Sequence, residues 1–393
     1  MNQFSTDVIN LGRTPERFDG LVNTPVFRGS TIVVNSFSEW EEFKRNGGVY
    51  RHYGRFGAAT AKSFEIAISA LEGGAGSMVF PSGLSACTHA LIACVEANSH
   101  VLIADNIYGP TRNFADNILV QMGVSVEYFD STNLEALTEK INDRTTAVFI
   151  ESPGSMTFEL SDVAAISAIS HQYGAKVLVD NSWATPLLFQ PLKHGADISI
   201  QSVTKYIGGH SDILMGVATA NAETYEQLTK TGHLFGETTS PDDIYLASRG
   251  LRSLAVRLKQ HQDSALTIAR FLATHPAIKE VLHPALETSP YHDLWLRDFD
   301  GSSGVFAFYL KESEPSYVQK FFDSLQLFHI GLSWGGFESL ILPVGQAYRT
   351  HTNLPKDGYL VRLNIGLESV VDLQKDLQYA LQCAEQMRVE SVI

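Results

Sequence analysis

The sequence predicts an α/β fold in which a large, mostly parallel sheet domain is followed by a smaller α+β domain. Between about residues 60 and 220, short apolar runs alternate with segments of helical periodicity, a pattern typical of a parallel sheet with helices on both faces. Beyond about residue 240 the order changes to one long helical segment, grouped strands and a final helix, which is typical of an α+β domain. A length of 393 residues has room for two or three domains.

The first of these regions contains short apolar runs that predict buried strands. They cover residues 77–80, 101–104, 124–129, 147–151, 176–180 and 198–201. A helix is predicted over 162–173, because Val163, Ile166 and Ile169 recur at intervals of three residues. The glycines around Gly74 follow a helical segment and precede a strand, so they predict a helix stop and not a dinucleotide-binding turn.

The second region begins with a long helical segment over 242–275. Strands are predicted over 304–310, 339–343 and 359–365, and a last helix begins at Ser369. The first 55 or so residues have weak periodicity and are expected to form an arm. The predicted boundaries are therefore 1–58 for the arm, 59–245 for the sheet domain and 246–393 for the C-terminal domain.

Composition excludes several classes of function. The chain carries 29 Lys and Arg residues against 43 Asp and Glu residues, a net charge of −14, which disfavours nucleic acid and anionic membranes as partners. Its three cysteines, Cys87, Cys94 and Cys383, form no C-x-x-C pair and no Cys/His cluster, so neither a disulfide scaffold nor a metal site is predicted. The first 30 residues lack a signal-peptide core, and no apolar run approaches the roughly 18 residues of a membrane span, so we expect a cytoplasmic protein.

One motif has the wrong context for its usual chemistry. Residues 331–335 read G-L-S-W-G and match the nucleophile elbow of serine hydrolases, which needs a helix immediately after it. Here an apolar run predicts a strand instead. A serine hydrolase acting through Ser333 is therefore a distant alternative.

Two other segments carry stronger signals. An apolar strand ends abruptly at Asp180, and the carboxyl ends of strands border the ligand crevice of an open α/β sheet. A further strand leads into Ser202-Val203-Thr204-Lys205, where a desolvated lysine beside two hydroxyls could form a Schiff base next to a phosphate.

Two more segments supply further groups of a candidate cofactor site. Residues 81–86 follow a strand and open a helix, whose free N–H groups suit a phosphate, and Tyr108 follows the next strand. An imine-forming lysine, an acid for the pyridine nitrogen, an aromatic ring and a phosphate cup are what pyridoxal phosphate needs.

With Tyr53-Gly54-Arg55, Glu338-Ser339-Leu340 and Arg362-Leu363, these segments make nearly the whole chain resemble the pyridoxal-phosphate enzymes of cysteine and methionine metabolism, the cystathionine lyase and synthase family. The resemblance implies the aspartate aminotransferase type of fold (fold type I), pyridoxal 5'-phosphate as cofactor, and a homo-oligomer, a tetramer built as a dimer of dimers. The resemblance implies that Lys205 is the lysine that is linked to the cofactor and carries the proton, that Asp180 lies at the pyridine nitrogen, and that Tyr108 stacks on the ring and takes part in catalysis. It places Gly83, Leu84, Ser202 and Thr204 at the phosphate, and it has Tyr53 and Arg55 reach a neighbouring subunit. It places Arg362, Ser333, Trp334 and Tyr53 at the amino-acid substrate.

The resemblance also implies the reaction, β-elimination of L-cystathionine to homocysteine, pyruvate and ammonia, because residues 333–336 are similar to the bacterial β-lyases. The chain departs from family patterns at Ser155, where an asparagine is frequent, and at Leu332, where γ-bond-breaking members carry glutamate and β-lyases tyrosine. Pro110 stands where methionine-degrading γ-lyases have cysteine. The alternatives are a γ-lyase or γ-synthase, a cysteine desulfhydrase and an inert cofactor-binding regulator. Trp183, His194 and His210 flank the key segments and are expected to be structural.

Overall fold

The computed structural model describes residues 4–45, 53–352, 354–355 and 357–390. The α-helices of these residues are numbered in chain order. They are α1 (Phe4–Asn10), α2 (Phe37–Arg45), α3 (Ala59–Glu72), α4 (Gly83–Ala93), α5 (Gly109–Phe114), α6 (Leu134–Lys140), α7 (Val163–Gln172), α8 (Thr185–Leu188), α9 (Tyr225–Phe235), α10 (Pro241–Thr274), α11 (His292–Asp298), α12 (Pro315–Ser324) and α13 (Val370–Glu390).

The strands of the described residues fall into two sheets. The larger sheet has the order β1-β7-β6-β5-β4-β2-β3, and the smaller has the order β10-β11-β12-β9-β8. The strands are β1 (Gly76–Phe80), β2 (His100–Ala104), β3 (Ser125–Phe129), β4 (Thr145–Glu151), β5 (Lys176–Asp180), β6 (Ile198–Ser202), β7 (Gly216–Ala220), β8 (Ile278–Leu282), β9 (Val305–Leu310), β10 (His329–Ile330), β11 (Leu340–Gly345) and β12 (Tyr359–Asn364).

The larger sheet is parallel from β3 to β6, as the alternating pattern predicted. Strands β1, β2, β5 and β6 are buried along nearly their whole length, because helices cover both faces of the sheet. The strand β7 was not predicted. It runs antiparallel to both β6 and β1 and separates them, so the chain that leaves β6 turns back before it continues into α9.

The boundaries of the elements follow local signals. Gly73 has φ +72° and ends α3, as predicted. The Asp162 carboxylate accepts from the N–H of Ala165 and begins α7, and the Ser240 hydroxyl with Pro241 begins the 34-residue helix α10. The predicted boundary between residues 245 and 246 falls within α10, and the division into three domains stays a prediction.

The smaller sheet packs its apolar face against α10, α12 and α13. Phe306, Phe308 and Leu310 of β9 are fully buried there, together with Leu373 and Leu377 of α13. The predicted strands over 304–310, 339–343 and 359–365 correspond to β9, β11 and β12, whereas the strands β8 and β10 were not predicted.

A buried carboxylate ties the segment that follows β11 to the larger sheet. Asp105, just after β2, accepts from the N–H groups of Thr350, His351 and Thr352 at 2.7–3.1 Å and pairs with Arg112. Burial alone would raise the pKa of Asp105, but these hydrogen bonds outweigh burial and lower it.

The described residues contain neither a membrane-spanning helix nor a cluster of metal ligands. No helix there is both long enough and apolar enough to cross a membrane. No group of three or more His, Cys, Asp and Glu side chains there could hold a metal ion.

Candidate active site

Lys205 lies in the turn after β6, between the two sheets. Its Nζ donates to the Ser333 hydroxyl at 2.8 Å and lies 5.1 Å from the centre of the Trp334 ring. Burial, reinforced by the positive charge of Arg362, lowers the pKa of Lys205 to about 8, although Asp180 acts in the opposite direction. At pH 7 about one-tenth of this amine is therefore neutral, far more than of an ordinary lysine.

Asp180 ends β5 and is 9% exposed. Its Oδ1 accepts from the N–H of Ser182 at 3.0 Å and from the Ser182 hydroxyl at 2.7 Å, while the Cys87 thiol lies 3.6 Å from Oδ2. Burial raises the pKa of Asp180, and the hydrogen bonds from Ser182 act against that rise. The carboxylate is thus held in one orientation, and Oδ2, which accepts only a weak thiol hydrogen bond from Cys87, can still accept from a cationic partner.

The first turn of α4 faces the end of β6. Ser82 caps this helix through a 3.0 Å bond from the N–H of Ser85, and the helical N–H groups of Gly83 and Leu84 have no partner within the helix. A Cβ on Gly83 would lie 2.5 Å from the Ser202 hydroxyl oxygen, so only glycine fits this approach. We call the first turn of α4 together with Ser202 the cup. The Ser182 hydroxyl accepts from the N–H of Ser202 at 2.7 Å and so links the cup to Asp180.

The Thr204 hydroxyl, unlike that of Ser202, is bonded to the backbone of the segment that leads into β7. It donates to the carbonyl of Met215 at 3.2 Å and accepts from the Met215 N–H at 3.0 Å, which ties the lysine turn to the start of β7. Its predicted contact with phosphate stays a prediction.

Tyr108 and Arg362 approach the same space from opposite sides. Tyr108 precedes α5, its N–H donates to Glu151 at 2.6 Å, and 43% of the residue is exposed. Arg362, on β12, is 5% exposed and donates through Nη2 to the carbonyls of Leu332 and Ser333 at 2.8 and 3.0 Å. Its buried Nε has no hydrogen-bond partner among the described residues.

Tyr108 and Arg362 lie close enough for each to affect the pKa of the other. Burial, then Cys87, Glu151 and Asp180, raises the pKa of the Tyr108 phenol, and Arg362 acts in the other direction. Burial lowers the pKa of Arg362 to about 10, and the guanidinium remains charged.

The segment 331–336 is a loop between β10 and β11, with no helix after it. Gly335 has φ +84°, and a Cβ there would lie 2.9 Å from the N of Tyr206, so the loop packs directly on the lysine turn. The Asn364 side chain fixes it by accepting from the N–H of Gly335 at 3.0 Å. Ser333 and Trp334 thereby reach Lys205, whereas the Leu332 side chain is 83% exposed.

Tyr53 and Arg55 lie elsewhere. They line a cavity of about 570 Å³ between the arm, α3, the end of α9 and the start of α10, and Arg55 donates to the carbonyl of His233 at 2.8 Å. Within one chain the structure does not bring them to Lys205.

The residues around Lys205 suit pyridoxal phosphate. The cup at Gly83 and Ser202 presents unpaired helical N–H groups, Asp180 keeps an oxygen for a pyridinium, and the Nε of Arg362 is a buried donor without an acceptor. Tyr108 offers an accessible aromatic face.

Sequence reasoning missed the residues that support this site. Ser182, which joins Asp180 to Ser202, and Glu151, which holds Tyr108, are contacts across strands that only the fold reveals. The flanking residues have packing contacts: Trp183 donates to the carbonyl of Val305 at 2.9 Å, and the His194 ring lies 4.8 Å from that of Phe189. At Ser155 the backbone N–H donates to the carbonyl of Asn106 at 2.7 Å.

Comparison with known proteins gives a consistent result. The sequence model of the family described as "Cys/Met metabolism PLP-dependent enzyme" matches residues 5–382. The chain is 40% identical to the cystathionine beta-lyase MetC of Escherichia coli, over 95% of this chain and 97% of that one. It is 38% identical to an L-alanine/L-glutamate racemase of Wolbachia pipientis, over 95% and 96% of the two chains.

A solved structure is similar as well. The crystal structure of metB from Corynebacterium glutamicum superposes with a TM-score of 0.89, covering 97% of this chain and 98% of that one at 31% identity.

Proposed function

The chain belongs to the family of PLP-dependent enzymes of Cys/Met metabolism, and from that premise we propose that it is a carbon–sulfur lyase that splits L-cystathionine by β-elimination. The products are homocysteine, pyruvate and ammonia. The observation that carries the proposal is the partly buried Lys205 amine, held by Ser333 beside Trp334 and within the fields of Asp180 and Arg362.

Arg362 binds the α-carboxylate of the substrate. Its guanidinium is buried, already fixed by two carbonyls through Nη2, and has an unpaired N–H at Nε. A carboxylate placed there would set the orientation of Cα relative to Lys205.

Bound pyridoxal phosphate supplies an aldehyde for the substrate amine and a ring that withdraws electrons from Cα. Gly83, Leu84, Ser202 and, as predicted from the sequence, Thr204 would hold its phosphate, Asp180 would pair with its ring nitrogen, and Tyr108 would cover its ring. Together they would fix the face of the substrate that Lys205 meets.

Lys205 removes the proton from Cα. Its lowered pKa gives it a neutral amine near neutral pH, and Ser333 orients the nitrogen lone pair by accepting a hydrogen bond. Tyr108 then protonates the departing sulfur, because its raised pKa keeps the phenol protonated at that pH. General acid and base groups of this kind each contribute about 10²–10⁴-fold to a rate.

We further propose a homotetramer, built as a dimer of dimers, in which Tyr53 and Arg55 complete the site of a neighbouring subunit. The support is their separation from Lys205 within one chain and the exposure of apolar side chains around the arm, with Val33 80% and Phe37 77% exposed. Sedimentation equilibrium tests this state, and a stable monomer with full activity would exclude it.

The cellular setting is proposed on chemical grounds. The three cysteines are free, which suits a reducing cytoplasm. Release of homocysteine suits a place in methionine biosynthesis.

The decisive experiment identifies the products formed from L-cystathionine. Pyruvate with homocysteine is expected; 2-oxobutyrate would indicate a γ-lyase, and a racemised amino acid without keto acid would indicate a racemase. Lys205→Ala should abolish pyruvate formation, whereas Lys320→Ala, at an exposed lysine of α12, should leave it unchanged. Retained turnover in Lys205→Ala would refute the assigned role of this lysine.

A further inference from the structure

A second cavity, of about 430 Å³, lies between the loop that follows β4 and the edge strand β8. Its wall includes Phe158 and Glu159 on one side and Glu280, His283, Tyr291 and Tyr309 on the other. We propose that this cavity binds a free α-amino acid as its zwitterion. The proposal does not depend on the lyase reaction, because the cavity wall contains none of the residues assigned to catalysis.

Two buried donors in this wall lack acceptors. Tyr309 is 1% exposed, and its hydroxyl has no hydrogen-bond partner among the described residues. The Nδ1 of His283 accepts from the N–H of Ala285 at 3.1 Å, which places the ring proton on Nε2, and Nε2 is likewise unpartnered in the described chain. An unsatisfied buried donor is costly, so both groups suit the carboxylate of a ligand.

Both donors keep their protons at neutral pH. Burial raises the pKa of Tyr309 to about 12, with Glu159 and Glu280 acting in the same direction. Burial lowers the pKa of His283 to about 3, so the ring stays neutral with its proton on Nε2.

Carboxylates supply the complementary end of the site. Glu159 is 6% exposed, and its Oε2 accepts from Thr157 at 2.8 Å and lies 3.8 Å from a nitrogen of Arg349. Its Oε1 receives no hydrogen bond from the described residues. Glu280 is the register partner of Tyr309 across β8 and β9, so its side chain extends from the same face of the sheet.

These groups select among ligands by charge. Lys279 also lines the cavity and Arg349 pairs with Glu159, so an anion would meet charges of both signs there and would leave the carboxylates without an added cation. A simple amine would leave both donors unpaired. A zwitterion places its ammonium at the carboxylates and its carboxylate at the donors. Phe158 and Tyr291 supply apolar surface to the same cavity, and its volume lies within the ~300–1,000 Å³ usual for small-molecule sites.

Calorimetric titration of the holoenzyme with L-norleucine tests the proposal, because this amino acid has no sulfur to eliminate. We expect two sites per chain, one of which disappears in Arg362→Ala and the other in Tyr309→Phe and in Glu159→Gln. Pentylamine and hexanoate, each lacking one charge, should bind the second site at least tenfold more weakly. Tyr317→Phe, at another buried tyrosine that bonds to Glu385, is the matched control and should retain both sites.

Three results would overturn the proposal. The first is a single site per chain that is lost in Arg362→Ala, which would mean that the cavity holds only water. The second is a second site that survives both Tyr309→Phe and Glu159→Gln. The third is equal binding of pentylamine and L-norleucine at the second site.

Discussion

Replacement of Ser182 by alanine should weaken cofactor binding although Ser182 has no assigned contact with the cofactor. Its hydroxyl donates to Asp180 at 2.7 Å and accepts from the N–H of Ser202 at 2.7 Å. A hydrogen bond to a charged group contributes about 1.5–3 kcal/mol and a neutral one about 0.5–1.5 kcal/mol, so we expect a loss of roughly 2–4 kcal/mol in the free energy of unfolding.

The same change should act on affinity through Asp180. Burial already raises the pKa of this carboxyl, and the Ser182 hydroxyl opposes that rise. Without the Ser182 hydroxyl the pKa of Asp180 should rise further. A smaller fraction of the carboxyl is then ionised and able to pair with the pyridinium of the cofactor. Because about 1.4 kcal/mol corresponds to a factor of ten, we expect the Kd for pyridoxal phosphate to increase at least tenfold.

The assay pairs urea unfolding of the apo chain with titration by pyridoxal phosphate, followed by visible absorbance. Ser199→Ala is the matched control, because the Ser199 hydroxyl donates at 2.9 Å to the buried carboxylate of Glu72, away from the cup. The control should lose stability and keep its cofactor affinity. A Ser182→Ala enzyme with wild-type affinity would refute the coupling between Asp180 and the cup.

Three further predictions concern the charged residues. Lys205→Met should stabilise the apo chain at pH 7 by about 1–3 kcal/mol in urea unfolding. A pKa of about 8 in the folded state means that folding disfavours the protonated amine. The gain in unfolding free energy on removing the amine should therefore shrink as pH rises from 8 towards 10.5. A gain that does not change with pH would contradict this reasoning. Arg362→Ala should raise KM for L-cystathionine at least tenfold, and an unchanged KM would exclude its contact with the carboxylate. Asp105→Asn should cost about 3 kcal/mol in urea unfolding at pH 7. The lowered pKa of Asp105 stabilises the fold above pH 4, and that contribution is lost as pH falls through the lowered value, so the difference from wild type should narrow in acid.

Periodicity predicted the strands whose sequences are apolar throughout. Each predicted run from 77–80 to 198–201 lies within two residues of an observed strand. The prediction that 124–129 is buried was wrong: β3 is the edge strand of the larger sheet, and of its residues only Phe129 is buried. The interior strands are buried on both faces, which requires nearly continuous apolar sequence. The strand β7 was not predicted because Gly216, Ala218 and Ala220 have low strand preference and leave only Val217 and Thr219 to indicate a strand. The strand β8 was not predicted because Lys279 and Glu280 interrupt its apolar sequence.

Candidate site residues could be proposed from the sequence where the chemical signal is local. Asp180 at a strand end, Lys205 after two hydroxyls and Gly83 at a helix start are signals within a few residues of sequence. The contact of Lys205 with Ser333 joins residues 128 positions apart, and no single-sequence pattern reports it without the resemblance. The supporting roles of Ser182 and Glu151 depend on the register of neighbouring strands, which the sequence leaves open.

The position of β7 determines when the cup can close during protein synthesis. The cup at Gly83 packs against Ser202, and β7 fills the gap between the strands that carry them, with Gly216 packed against the carbonyl of Ser82. A nascent chain that has not yet released residue 220 from the ribosome therefore lacks a closed phosphate cup. Arg362, proposed to bind the substrate carboxylate, lies on β12 and emerges some 140 residues later still. The residues proposed to hold the phosphate are therefore all synthesised well before the residue proposed to bind the amino acid.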